Sequence, residues 1–445
     1  MKILVAALLL LAGACQRPEA QAAPPPGAAE PTQQSGADAA KADFAKTLAL
    51  VKPHGKSKDD EQILKMQEAV THNPGKAEAW VELGNAWVRK ARDTTTPQLY
   101  LNGDACAQVA LSISPGSRLA LNLHGLSLMN DHKFEEARAL AQAIVQREPD
   151  AQAYGTLSDA LLELGRYAEA VQAAQQMMDL KPNLPSYSRA AYLLWLRGED
   201  AGAKASVRLA MDAGQDQRGV EPRAWVTVQA AMIFWNEGDA EGALAGFDRA
   251  LRDVPGYPPA LIGKGRLAIA KGDGNSAVGL LEQASHANPL IETLWLLGDA
   301  RLLAGDAAGA EKSYAQVEQG GPALDPRTTS LFLSTKSRKP ELALQLAEGE
   351  LKVRGDLYTQ DAAAWALYRA GRFEAARAAI DRARSLGTQD ARLLFHDGAI
   401  RLAQGDVKGG RKLLEDALKL NPGFDLTGSQ EARALLGQKE KLGQR

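Results

Sequence analysis

The sequence predicts an all-α fold, an α-solenoid of stacked helical hairpins, from three recurring marks. A glycine beats along the chain at Gly165, Gly198, Gly238, Gly272, Gly305, Gly371 and Gly405, in steps of 33 or 34 residues apart from one of 40 and one of 66. Five residues after the beat stands an alanine, as at Ala170, Ala243, Ala277, Ala310 and Ala376, and seventeen after it a proline, as at Pro182, Pro255, Pro289, Pro322 and Pro422. Self-similarity at such a period marks a repeat array in which each unit buries its apolar face only against its neighbours. Within one unit the glycine ends a first helix in the left-handed conformation that a side chain would penalise. The alanine sits where the second helix presses closest to the first, and the proline closes the second helix because it has no N–H to donate. Abundant alanine and few β-branched runs agree with helices over sheet.

The elements follow in order. Residues 1–14 read as a signal peptide: Lys2 gives the positive start, Ile3 to Ala12 an apolar stretch too short to span a bilayer, and Ala12-Gly13-Ala14 the small residues of a cleavage site. Cys15 follows at once, and the segment resembles a bacterial lipoprotein signal, which implies lipidation of Cys15; Ala12 stands where such signals usually carry leucine. Gln16 after the cysteine implies passage to the outer membrane, the alternative being a soluble periplasmic or secreted protein. Residues 15–41, with Pro24-Pro25-Pro26 and no large apolar side chain after the cysteine, are expected to form a disordered tether. The array is expected over residues 42–422, beginning with a partial copy in which Ile63, Met66 and Val70 keep helical spacing. About ten copies follow. The 66-residue step holds two beats with Arg338 in the skipped slot, the stretch Gln215 to Pro222 is an insertion, and a beat counted back from Gly165 falls on His132, with Pro149 as its closing proline. Residues 423–445 make a capping helix, at Ser429 to Leu442, and a tail.

Period and residues together resemble the tetratricopeptide repeat. Trp80, Leu83, Gly84 and Trp87 match its opening, and Leu294, Leu297, Gly298, Gly305, Ala310, Tyr314 and Pro322 match a later copy. The resemblance covers roughly Asp59 to Pro422 and implies a right-handed superhelix of antiparallel helix pairs whose first helices line a concave, partner-binding groove.

Chemistry is tested against the repeat. His124, His132, Glu135 and Glu136 lie close in sequence, but His132 fills the glycine slot of a turn while His124 lies in the preceding helix. Convergence on a metal is not expected, and the two glutamates are first-turn acids favoured by the helix dipole. The stretch Gly263 to Ala268 suggests a dinucleotide fingerprint, yet it lies inside a first helix with no preceding strand; Gly55 to Ser57 lacks the upstream glycine of a phosphate loop. Cys106, with Cys15 acylated, has no disulfide partner and reads as a small buried apolar residue. No catalytic residues, metal or cofactor are therefore expected, and the net charge of −2 argues against nucleic acid.

What remains is surface. Residues thirteen, ten, six and three before each beat share one stripe of the first helix. Its apolar members are Leu126, Met129, Tyr192, Trp195, Trp225, Met232, Trp235, Trp295, Trp365, Tyr368 and Phe395, with Asp159, Arg266 and Asp299 among them. These are the expected partner groove, the alternative being packing between adjacent repeats. The expected function is a non-catalytic scaffold, membrane-anchored and facing the periplasm, that binds other proteins or peptides of the cell envelope. The alternatives are an accessory subunit of an outer-membrane assembly or polysaccharide-export machine, and an enzyme or enzyme regulator with its site in the groove, which a carboxylate facing Asp159 would favour.

Overall fold

The computed structural model describes residues 43–214, 220–287 and 289–437. The expected export signal, Cys15 and the expected tether lie outside these residues, as do positions 215–219 of the expected insertion and the part of the expected cap beyond residue 437. Among the described residues the chain is helical from end to end, with no strand. A short helix at residues 43–49 (α1) and α2 (Lys58–His72) lead in. Ser57 caps α2 by a reciprocal exchange with Asp60, which fixes where the helix starts.

Antiparallel pairs follow: α3 (Ala77–Asp93) with α4 (Tyr100–Ile113), α5 (Arg118–Asn130) with α6 (Phe134–Arg147), α7 (Ala151–Glu163) with α8 (Tyr167–Leu180), α9 (Leu184–Leu196) with α10 (Asp200–Ala213), and α11 (Glu221–Asn236) with α12 (Ala240–Asp253). The array continues with α13 (Pro258–Ala270) and α14 (Gly274–Ala287), α15 (Ile291–Leu303) and α16 (Ala307–Leu324), α17 (Pro326–Thr335) and α18 (Pro340–Leu351), α19 (Leu357–Arg369) and α20 (Phe373–Ala383), and α21 (Ala391–Ala403) and α22 (Val407–Leu420). A final helix, α23 (Leu426–Gly437), covers the last pair.

The beat glycines turn each hairpin as expected, with φ between +69° and +86° from Gly165 to Gly405. His132 takes the same slot at φ +58°, which costs a residue with a Cβ roughly 1–2 kcal/mol. In the weak copy two residues are left-handed, Ser337 (φ +54°) and Lys339 (φ +42°), one on either side of the expected Arg338, and α17 ends at Thr335. The alanines five residues on, among them Ala170, Ala243, Ala277 and Ala376, have no exposed surface at all. One proline departs from expectation: Pro322 does not close its helix, since α16 runs through it to Leu324. Only the single hydrogen bond of the missing N–H is lost, and Asp325 secures the end by donating its N–H to the Gly321 carbonyl at 2.9 Å while its side chain caps α17.

Polar rungs tie successive odd-numbered helices together at their starts. The aspartate that caps one helix accepts a hydrogen bond from the helix before it: Asp150 from Arg118 at 2.9 Å, Asp356 from Arg327 at 3.2 Å, Asp390 from Tyr358 at 3.3 Å. Each carboxylate thus satisfies orphan N–H groups of its own helix and links two repeats.

The coil then meets itself. The Glu163 carbonyl at the end of α7 accepts from the N–H of Gly355 (2.9 Å) and of Asp356 (3.1 Å). The Leu196 carbonyl at the end of α9 accepts from the Thr388 hydroxyl, 192 residues on, and the Trp235 carbonyl of α11 from the Asn421 amide at 2.7 Å, 186 residues on. These three contacts form a seam between successive turns of the superhelix. The glycine beat serves a second purpose here: a Cβ on Gly165 would stand 2.6 Å from the Gly355 carbonyl oxygen and one on Gly198 2.8 Å from that of Gly387, whereas one on Gly305 would meet nothing within 4 Å. Apolar packing backs the seam, with Leu196, Leu357 and Leu393 buried in one cluster.

A candidate binding lumen

Odd-numbered helices on the two sides of the seam line two partly open hollows that share Arg327 and Tyr358. The larger has a volume of about 270 Å³ and is walled by Met232, Trp235, Arg266, Glu292, Trp295, Arg327, Tyr358, Asp390, Arg392, Asn421, Phe424 and Asp425, among others. The smaller, about 60 Å³, is walled by Glu163, Tyr167, Tyr192, Leu196, Asp356 and, again, Arg327 and Tyr358.

The structure divides the expected groove residues. Met232, Trp235 and Trp295 come together in the larger cavity, and Tyr192, 36% exposed, turns its free surface to the smaller one. Trp195, Trp365 and Phe395 are buried in packing instead. Trp365 is stacked between His396 at 4.1 Å and the Arg369 guanidinium at 4.4 Å, with Tyr368 against it at 4.8 Å. Leu126 and Met129 are half-buried, and Trp225, 43% exposed, is the most accessible aromatic of the set.

The stripe's carboxylates Asp159 and Asp299 are matched. Asp159 is held by Arg189 through two hydrogen bonds of 2.8 and 2.5 Å, so it is a salt-bridged rung. Asp299 is buried against Lys336 (2.6 Å) and the Tyr314 hydroxyl (2.5 Å); burial pushes its carboxyl up and the ammonium opposes the shift. His124 pairs with Asp104 at 2.6 Å and His132 stacks on Phe134 at 5.5 Å, so the two imidazoles have separate neighbours. Glu135 lies on Arg138. Cys106 is fully buried and its thiol is pushed up by that burial.

Sequence reasoning missed the polar half of the lumen. Glu292, Tyr358 and Arg392 each stand thirteen residues before a beat, on the stripe whose charged members were read as Asp159, Arg266 and Asp299 alone. Behind Arg392 lies a wholly buried pair, Asp361 and His396, with Nδ1 to Oδ1 at 2.6 Å and the Arg392 guanidinium 3.3 Å from the other oxygen. Burial alone would raise the Asp361 carboxyl, but His396 and Arg392 together hold it below its ordinary range. On the other side, burial and the neighbouring Asp356 raise the Glu163 carboxyl, and burial with the Asp356 and Glu163 charges raises the Tyr192 phenol.

Family models for the tetratricopeptide repeat match residues 122–185, 362–423 and 234–294. The fold is a tetratricopeptide-repeat solenoid. Such arrays are in general protein-binding scaffolds without catalytic activity. The matched stretches take in most of α5 to α8, the end of α11 to the start of α15, and most of α19 to α22, so that of the seam contacts only Trp235 with Asn421 has both partners in them. No curated protein matches the chain. Among solved structures it is similar to PilW, described as a widely conserved type IV pilus biogenesis factor, at 17% identity over 46% of this chain and 94% of that one, with a TM-score of 0.39. It is also similar to the human IFIT1 dimer with m7Gppp-AAAA, at 14% identity over 85% and 94% with a TM-score of 0.47, and to the APC/C hetero-tetramer Cut9-Hcn1, at 13% over 88% and 100% with a TM-score of 0.37. No helix among the described residues is long and apolar enough to cross a membrane.

Proposed function

We propose that this tetratricopeptide-repeat solenoid is a non-catalytic scaffold of the cell envelope, tethered by a lipid on Cys15 through residues 15–41 and presenting its coil to the periplasm from the outer membrane. The observation that carries the reading is a continuous run of helical hairpins occupying the whole described chain, on which Trp225 remains accessible. A preformed curved surface of this kind loses little entropy on engaging a partner. Large aromatics anchor such contacts. Partners are envelope proteins or peptides, and binding involves no cofactor, metal or nucleic acid.

The test is crosslinking and capture from solubilised membranes with the intact chain and with Trp225→Ala and Tyr192→Ala. Loss of a specific partner at unchanged helicity supports the scaffold; an unaltered partner set places the contact elsewhere on the coil. The anchor has its own experiment: Cys15→Ser abolishes acyl labelling and frees the protein from membranes, and continued acylation refutes it.

A further inference from the structure

The first residues of the described fold make a surface unlike the rest. Segment 43–58 holds four lysines, Lys46, Lys52, Lys56 and Lys58, against one aspartate, in a chain whose net charge is −2. All four are exposed and none has a carboxylate partner among the described residues, whereas Lys204, Lys264 and Lys336 further on are salt-bridged. Of the acids that follow, Asp60 is buried on Lys90 and Asp59 is half-buried, which leaves Glu61 exposed. Phe44, 70% exposed, is the most exposed large apolar side chain among the described residues, and Leu50 and Val51 on the same segment are exposed too.

The segment is nevertheless held firmly, and from one side. Its carbonyls accept from side chains of α2, α3 and α4: that of Leu48 from the Asn102 amide at 2.8 Å, that of Ala49 from the Trp87 indole N–H and the Gln67 amide, both at 3.2 Å, that of Val51 from the Gln67 amide at 2.9 Å, and that of His54 from the Lys90 ammonium at 3.1 Å. Ala45, Ala49 and Pro53 are buried against the same helices. Phe44 and the lysines are left on the solvent side, at the end of the array, where a terminal unit ordinarily turns a polar face outward. An aromatic ring among unpaired cations suits an anionic lipid surface instead, the ring entering the headgroup boundary and the ammonium groups facing lipid phosphates. On the anchoring proposed above, Cys15 stands 28 residues before Asp43, a reach of about 30 Å r.m.s. for a flexible chain. An acyl group there keeps this surface beside the bilayer.

We propose that segment 43–58 is a membrane-docking face, which lays Phe44 into the headgroup layer of a bilayer containing anionic lipids and sets Lys46, Lys52, Lys56 and Lys58 on its phosphates. This rests on the envelope reading above and adds the face of the coil that meets the membrane. Salt screens such contacts, so the face orients an acylated protein and does not by itself retain an unacylated one at physiological salt.

The experiment uses residues 15–445 carrying Cys15→Ser, so that no acyl group contributes, and co-sedimentation with vesicles of phosphatidylcholine, alone or with about one third phosphatidylglycerol. At low salt the chain binds the anionic vesicles at least about tenfold more tightly than the neutral ones, and the preference fades at physiological salt. A lysine near such a surface contributes roughly fivefold, and Lys52→Gln with Lys56→Gln lowers binding by at least that factor. Phe44→Ala lowers it by a similar factor. These side chains are exposed, and an unchanged circular dichroism spectrum shows that the variants keep the fold. Lys408→Gln with Lys412→Gln, exposed on α22 toward the other end of the array, leaves binding unchanged. No preference for the anionic vesicles, or equal weakening by the α22 pair, overturns the proposal. An acidic protein captured through the four lysines while vesicles stay unbound overturns it as well. If vesicles are not bound but the Trp225-dependent partner is still captured, the scaffold stands and only the docking face is lost.

Discussion

Gly165→Ala and Gly305→Ala make the same chemical change at the same backbone conformation, with φ of +74° and +86°. Each places an alanine in the left-handed region, at about 1–2 kcal/mol. Only Gly165 is opposed across the seam: its Cβ would lie 2.6 Å from the Gly355 carbonyl oxygen, closer than real Cβ atoms come, so the two turns must part. Parting them breaks the Gly355 and Asp356 hydrogen bonds to the Glu163 carbonyl and the 3.5 Å contact of Arg354 with Glu163. Two hydrogen bonds at a net of about 0.5–1.5 kcal/mol each amount to about 2 kcal/mol. Gly165→Ala therefore costs about 3 kcal/mol and Gly305→Ala about 1 kcal/mol. Urea unfolding followed by circular dichroism measures the difference. An array of repeats need not unfold in one step, so the comparison is made on the transition of each variant against the parent under identical conditions. Equal losses, within about 0.5 kcal/mol, would refute a seam that contributes to stability.

Other outcomes follow from buried groups. Asp299→Ala strands the Lys336 ammonium, 10% exposed, and costs about 3–5 kcal/mol in the same unfolding assay, whereas loss of a surface pair such as Glu135 with Arg138 costs under about 1 kcal/mol. Trp365→Ala removes a fully buried indole and costs about 3–5 kcal/mol, while Trp225→Ala leaves stability nearly unchanged. Asp93 is surface-exposed, yet partial desolvation together with the adjacent Asp59 carboxyl and the Glu221 charge raises it to about 7. Its folded value exceeds the unfolded one, so the stability this proton confers is full below pH 4, declines as pH rises to about 7 and changes little beyond. Asp93→Asn flattens that decline in unfolding curves taken from pH 4 to 8. A decline that survives the substitution assigns it to other groups.

Much of the fold was legible because the repeat constrains few positions strongly. A residue in the left-handed turn is best a glycine, and the residue at the helix crossing must be small, so both recur where the period puts them. His132 could be placed by counting alone. Ser337 and Lys339 could not, since the count of 33 lands on Arg338 between them. The lumen was legible in its aromatic part only. Trp235 and Trp295 were chosen because apolar residues at helical spacing stand out, and Arg266 was noted beside them, but Tyr358 and Arg392, thirteen residues before their beats, were left out although they occupy the same face. Residues such as Trp195 and Trp365 share the stripe yet are buried, because whether an inward face meets solvent or another turn depends on how far the coil closes. That is fixed by contacts 186 to 192 residues apart, which no local pattern reports.

The most direct test of the central claim, that the solenoid coils until its turns dock, is hydrogen exchange at Gly355 and Asp356. Their amides lie in a loop and have one acceptor, the Glu163 carbonyl of the preceding turn. Docked turns predict protection at both approaching that of the flanking helices, lost in Gly165→Ala. Exchange as fast as at Gly116, in the loop between α4 and α5 where the N–H makes no hydrogen bond, would show an open coil and contradict the account.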